Sequence, residues 1–195
     1  MSNPAYQQAA NTMPLTRGGA PLLISHRGNL TGPNPARENS PAYIREALDA
    51  GFDVEIDVRY VENHSLSILW LGHDEPQYPL EMSMLMNNKN KLWLHAKDAE
   101  TQLFLLTMYG VHSFSHDGDP CALTSRGVLW ALPSCVPYPG LPADRLVLID
   151  PKLEVLEDWV NLGGWTGSED GPSCAVCSDH VLTLQKRLEH AKLCA

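Results

Sequence analysis

An α/β chain whose strands close into a compact (β/α)8 barrel is the fold class that three observations predict. Eight short apolar runs recur along the sequence, and most of them end in a polar residue. Several are separated by segments of helical periodicity, the alternation that builds parallel sheets. In one run, Phe52 to Val58, acids alternate with apolar residues, so one whole strand face is charged. An antiparallel sheet would put that face in water, whereas a parallel barrel points it into the interior or the mouth. The chain has 195 residues, short for a fold that usually takes ~250, so some helices must be reduced to loops. Pro76–Lys91 and Pro133–Asp144 carry little helical pattern and are expected to be those loops. An open, doubly wound sheet is the alternative architecture.

Residues 1–20 hold Asn, Gln, Pro and Gly without periodicity and read as a flexible lead-in. Residues 21–195 read as one domain, since a chain of this length supports a single core. Pro21 to Ser25 predicts a buried strand opening into the loop His26-Arg27-Gly28. Asn39 or Ser40 can cap a helix that has Pro41 near its first turn, Ile44, Ala47 and Leu48 on one face, and Gly51 as its stop. The run Phe52 to Val58 follows at once. Ser67 to Gly72 then leads to His73-Asp74, and Leu92 to Leu94 leads to His95-Ala96-Lys97. After a helix over Glu100 to Tyr109, Val111 to Ser115 leads to His116-Asp117. Gly127–Leu132, Leu146–Ile149 and Ala175–Cys177 complete the strands, and Leu182 to Leu193 reads as a closing helix.

The net charge is -9, with 14 Lys and Arg against 23 Asp and Glu. That balance argues against non-specific nucleic-acid binding, which needs a basic face to displace counterions. It leaves room for a small anionic substrate, because the charge of a cleft matters more than the total. No apolar segment is long enough for membrane insertion or a signal peptide. Five cysteines, an odd number gathered late in the chain, fit a reduced, cytoplasmic protein. Cys174 and Cys177 form a lone CxxC, which reads as ordinary thiols beside a strand rather than as a zinc or redox pair.

The first three strand ends offer His26 and Arg27, then Glu55 and Asp57, then His73. Carboxylates two residues apart on a strand share a face and suit a hard cation such as Mg²⁺ or Ca²⁺. Two imidazoles can serve as general acid and base near neutral pH, and the planar fork of an arginine matches phosphate oxygens. Together they fit metal-assisted transfer at phosphorus. The bland readings are loop histidines and ion pairs of Glu55 and Asp57 with Arg59 or Lys97. Glu38 and Asn39 read as a loop anchor and cap, and Asp150 and Asp179 as capping or turn residues.

The ordered set His26-Arg27-Gly28, Glu38-Asn39-Ser40, Glu55-Ile56-Asp57 and His73-Asp74 resembles glycerophosphodiester phosphodiesterases, of the phospholipase-C-like phosphodiesterase superfamily. The likeness runs from about Leu22 to Lys97; beyond that, only Ser178-Asp179 is similar to a late-barrel motif. It implies a TIM-type barrel, a divalent metal held partly by Glu55 and Asp57, and acid/base work by His26 and His73 on a small phosphodiester. Lys97 matches the family and would face the phosphate with Arg27, and His116 at another strand end is a further substrate-side candidate. One departure stands out. Where the family has a Glu two residues before the lysine, this chain has His95. An imidazole there can still bind a divalent ion, with preference moved toward Mn²⁺ or Zn²⁺. The alternative function is a catalytically weakened barrel that binds a phosphorylated ligand.

Overall fold

The computed structural model describes residues 15–17, 20–62, 68–135, 145–154 and 175–194. They form a mixed α/β architecture with a ten-stranded sheet, a separate two-stranded hairpin and four helices. In chain order these are β1 (Thr16–Arg17), β2 (Ala20–Pro21), β3 (Leu23–His26), α1 (Pro41–Asp49), β4 (Asp53–Tyr60), β5 (Leu69–Leu71) and β6 (Tyr78–Pro79). There follow α2 (Met82–Asn88), β7 (Leu92–Ala96), α3 (Ala99–Thr107), β8 (Ser113–Phe114), β9 (Cys121–Leu123) and β10 (Leu129–Ala131). A 3-10 turn (Pro133–Cys135), β11 (Leu146–Ile149), β12 (Ala175–Ser178) and α4 (Val181–Cys194) complete the described chain.

Local chemistry sets the element boundaries as the sequence predicts. Ser40 caps α1, its Oγ accepting from the Tyr43 N–H, and Pro41 occupies the first turn, where no donor is needed. Gly51 (φ 96°) turns the chain from that helix into β4. Asp98 caps α3 by accepting from the Thr101 N–H.

The parallel pairs follow chain order: β3 with β4, β4 with β7, and β7 with β8, then β10 with β11 and β11 with β12. β12 returns to pair with β3, Val176 opposite Leu23. Side-chain alternation sorts the core onto the two faces of the sheet, an outer one covered by helices and an inner one without them. Ile24, Trp93, Phe114, Trp130, Val147 and Cys177 gather in one buried cluster with Leu15 and Leu22. The intervening residues, among them Val54, Ile56 and Leu94, pack outward with Ile44 and Ala47 of α1. Leu23, Leu148 and Val176 do the same with Val181, Leu184 and Leu188 of α4. Asp53, Glu55 and Asp57 therefore lie on the inner face of β4 and are at most 2% exposed.

Three details differ from the sequence expectation. The run before His73 is not a parallel strand: β5 pairs antiparallel with the far end of β4 and forms a hairpin with β6. β7 already occupies one edge of β4 through Val58, so β5 extends the edge that β3 leaves. Pro76–Lys91 is not all loop, because Met84 and Leu85 bury one side of α2 in the outer layer. Tertiary burial there overrides a weak local pattern. Finally, β9 pairs antiparallel with β10, a reversed strand the apolar runs did not disclose. Cys174 lies outside the described residues; Cys177 is a buried free thiol. Among the described residues no helix is long and apolar enough to cross a membrane.

Candidate functional site

The C-terminal ends of β3, β4, β7 and β12 converge on one group of charged side chains. β3 ends at His26, and the loop beyond it turns through Arg27 in a left-handed conformation (φ 55°). That turn sends the Arg27 guanidinium back over β4, with Nε 2.9 Å from Asp57 Oδ2 and Nη1 3.3 Å from Glu38 Oε2. β4 presents Glu55 and Asp57, β7 presents His95 and the following Lys97, and β12 is followed by Asp179.

Asp57 is the centre of the group and is fully buried. Asn39 grips it twice: Asn39 Nδ2 donates to Asp57 Oδ2 at 2.9 Å, and the Asp57 N–H donates to Asn39 Oδ1 at 2.9 Å. His95 Nδ1 and Lys97 Nζ stand 3.1 and 3.3 Å from the other oxygen. Burial raises the Asp57 pKa, but His95, Arg27 and Lys97 outweigh it and hold the carboxyl well below the usual carboxylate range. His95 Nδ1 is also 3.6 Å from Glu55 Oε1. Burial disfavours the His95 cation, yet Asp57 and Glu55 overcome that and push its pKa up to about 9.

His26 is organised from behind. Its Nδ1 donates to Asp179 Oδ1 at 2.8 Å, leaving Nε2 on the site side, 3.9 Å from Glu55 Oε2. A carboxylate can only accept, so Asp179 fixes both the tautomer and the ring orientation. Burial lowers the His26 pKa, but the Asp179 hydrogen bond and the Glu55 charge raise it above its ordinary value. Asn29, fully buried, donates to both Asp179 (2.8 Å) and Glu38 (2.9 Å) and so ties the loop after β3 to the end of β12.

Of the residues predicted from sequence, His26, Arg27, Glu55, Asp57, His95 and Lys97 meet in this group. His116 reaches it through a ring stack, 4.5 Å from His95 between centroids and inclined by 12°, with Phe114 stacked on His95 from the same strand. Burial and the neighbouring cations His95 and Lys97 lower the His116 pKa. Rings stacked nearly parallel cannot aim their lone pairs at one ion, so His95 and His116 are not co-ligands. His73 is not brought in. Its side chain is 43% exposed and Nδ1 bonds Asp74 at 2.7 Å, while Arg59 holds its carbonyl. Asn29 is the position of this group that sequence reasoning missed, and Asp179, similar to a late-barrel motif, was read there as a capping or turn residue. For Asp179 the signal was there: it follows an apolar run, as His26 and His95 do.

The donor set fits a divalent cation. One ligand atom from each of Glu55, Asp57 and His95 lies within 4.8 Å of the others. Glu55 Oε2, Asp57 Oδ1 and His95 Nε2 are buried without a hydrogen-bond partner, a costly arrangement that a bound cation relieves. Charge balance agrees. The carboxylates of Glu38, Glu55, Asp57 and Asp179 face the permanent cations Arg27 and Lys97. The surplus negative charge is neutralised either by protons on His26 and His95 or by a divalent ion. No protein-family model, no curated protein and no solved structure matches this chain.

Proposed function

We propose that the chain cleaves a small phosphodiester, glycerophosphodiester-like or sugar-based, using a divalent ion held by Glu55, Asp57 and His95. The observation that carries this reading is the buried, incompletely bonded Glu55–Asp57–His95 group set beside a histidine whose tautomer is fixed by a carboxylate. The same reading includes a closed (β/α)8 barrel. In support, the parallel strands run in chain order and β12 returns to β3. Ser125, just beyond β9, also donates its N–H to Ser113 O on β8 at 2.7 Å. A reversed β9 would then complete the ring of eight, without the helix that a parallel strand requires, which accounts for the short chain.

In this scheme His26 Nε2 takes or returns a proton at the oxygen that attacks or leaves phosphorus, with Asp179 stabilising the imidazolium. A divalent ion supplies Lewis-acid stabilisation of charge building on the phosphoryl oxygens. Arg27 and Lys97, one on each oxygen of Asp57, orient the phosphate and oppose the same charge. His73 supplies the second proton transfer from the segment after β5, which requires its ring to leave Asp74.

The test is hydrolysis of glycerophosphodiesters and of bis(p-nitrophenyl) phosphate by the full chain. It is followed after chelation and after return of Mg²⁺, Ca²⁺, Mn²⁺ or Zn²⁺. Turnover abolished by chelator and restored by one ion supports the proposal; turnover indifferent to chelator refutes the metal. A second reading, a barrel that binds a phosphorylated ligand without turning it over, is favoured by the exposed His73 ring, which bonds Asp74 rather than the group. Absent turnover together with calorimetric binding of a glycerophosphate would select it.

A further inference from the structure

At the opposite end of the strands from the site lies a second buried histidine that the scheme above does not use. His112 precedes β8, and its carbonyl accepts from the Leu94 N–H of β7 at 2.9 Å. The residue is fully buried, and neither ring nitrogen has a hydrogen-bond partner among the described residues. Its ring packs against Trp93, 4.1 Å between centroids and inclined by 45°. The charged groups around it are few. Asp53 at the start of β4 accepts the Trp93 indole N–H at 3.2 Å, and its charge supports Arg126. Arg126, in the turn between β9 and β10, donates to Gly110 O at 2.6 Å, two residues before His112. From α3, Gln102 donates to the hydroxyl of the adjacent Ser113 at 3.2 Å.

The join beside His112 is the weakest in the sheet. β8 has two residues and pairs with β7, and among the described residues no ladder links its other edge to the β9–β10 hairpin. Across that join run the Ser125 N–H to Ser113 O bond (2.7 Å), the Ser113 N–H to Ser125 Oγ bond (3.0 Å) and the Arg126 bond to Gly110. Other boundaries are registered ladders, five residue pairs between β4 and β7 and three between β10 and β11. A proton on His112 would create a buried cation with no acceptor, beside the guanidinium that crosses this join. Water reaches the ring most cheaply by parting the hairpin from β8. β8 also delivers Phe114 and His116 onto His95.

We infer that His112 is an acid-operated latch on the join between β8 and the β9–β10 hairpin. A proton on its ring releases that join, and with it the seating of Phe114 and His116 on His95, while the remaining ladders stay paired.

Burial, with Arg126 adding to it, lowers the His112 pKa to about 3, so the closed join holds a neutral ring. The sign follows from linkage. The depressed value favours the closed form fully above the open-state pKa of about 6.5, and that advantage is lost as pH falls from there toward 3. Opening should therefore rise about tenfold per pH unit in this window.

The experiment is site-resolved amide hydrogen exchange of the full chain between pH 7 and 4.5, corrected for intrinsic exchange, with His112→Phe and His112→Gln alongside. In the wild type, protection at Ser125 should fall with decreasing pH while that at Val147 and Val176 holds. In a folded variant, protection at Ser125 should be independent of pH across the window. The same pH dependence in a folded variant, or a uniform loss across the sheet in the wild type, overturns the inference. If neither variant folds, the wild-type His112 ring-carbon shifts decide. Protonation coincident with loss of Ser125 protection supports the latch, and titration near 6.5 with Ser125 still protected overturns it.

Discussion

Asn39→Ala is the perturbation with the most direct physical consequence for the candidate site. The Asn39 side chain is 1% exposed and makes two 2.9 Å bonds to Asp57, one to a carboxylate oxygen and one from the backbone N–H. A hydrogen bond to a charged group contributes about 1.5–3 kcal/mol and a neutral one about 0.5–1.5 kcal/mol. Asn39 also has φ 60°, a left-handed conformation that costs a residue such as alanine about 1–2 kcal/mol. The variant should thus lose about 3–6 kcal/mol, read as a fall of about 10 °C or more in Tm for a domain of this size. Asn39→Gly removes the same bonds without the backbone penalty, so it should be the milder of the two by about 1 kcal/mol. The assay is chemical denaturation of the metal-free chain, with midpoint and slope fitted separately. A loss below about 1 kcal/mol for Asn39→Ala would show that Arg27, Lys97 and His95 hold Asp57 unaided.

Glu55→Gln and Asp57→Asn keep shape but remove charge, so calorimetric titration should show a sharp fall in divalent-ion affinity; affinities equal to wild type would make both acids structural. His26→Ala should lower kcat by about 10²–10⁴-fold with little effect on folding, and undiminished turnover would remove it from the mechanism. His73→Ala should lower kcat to a similar extent if its ring leaves Asp74 during turnover, whereas near-normal turnover would exclude it. His95→Glu should shift the activity profile across a panel of divalent ions toward Mg²⁺ or Ca²⁺, and an unchanged profile would show that His95 is not a ligand.

Which parts of this were legible in the sequence depends on how far each signal is local. Period-two alternation through β4 located Glu55 and Asp57 on one face, and the sheet buries that face because parallel neighbours, β3 and β7, lie on both of its edges. The polar residue after an apolar run located His26, His95 and His116 for the same reason. That rule placed His73 too, whose ring bonds Asp74 and none of the group. An apolar run records burial but not strand direction: β5 is antiparallel, and its end reaches the group's neighbourhood only because it runs back along β4 until the Gly72 N–H donates to the Asp57 carbonyl at 3.2 Å. β9 stayed invisible because Cys121–Leu123 is a short segment with one buried residue, its pairing fixed by the turn into β10.

The anion and cation counts around Asp57 explain why ion pair and metal ligand were inseparable in the sequence, and the bonding of each atom bears on the choice between them. A structural ion pair satisfies both partners. Asp57 Oδ2 is satisfied by Asn39 and Arg27, as such a pair would be. Asp57 Oδ1 has ion-pair contacts, to His95 Nδ1 at 3.1 Å and Lys97 Nζ at 3.3 Å, whereas the buried Glu55 Oε2 and His95 Nε2 have no hydrogen-bond partner. A carboxylate oxygen and a ring nitrogen buried without a partner are costly unless something fills them, about 1–3 kcal/mol each. A fold selected for stability alone would close that gap with a hydroxyl or an amide, as Asn29 does between Glu38 and Asp179. On the proposed function these atoms are the ones left for the ion, while Asn39 and Arg27 hold the Asp57 carboxylate in place beside them.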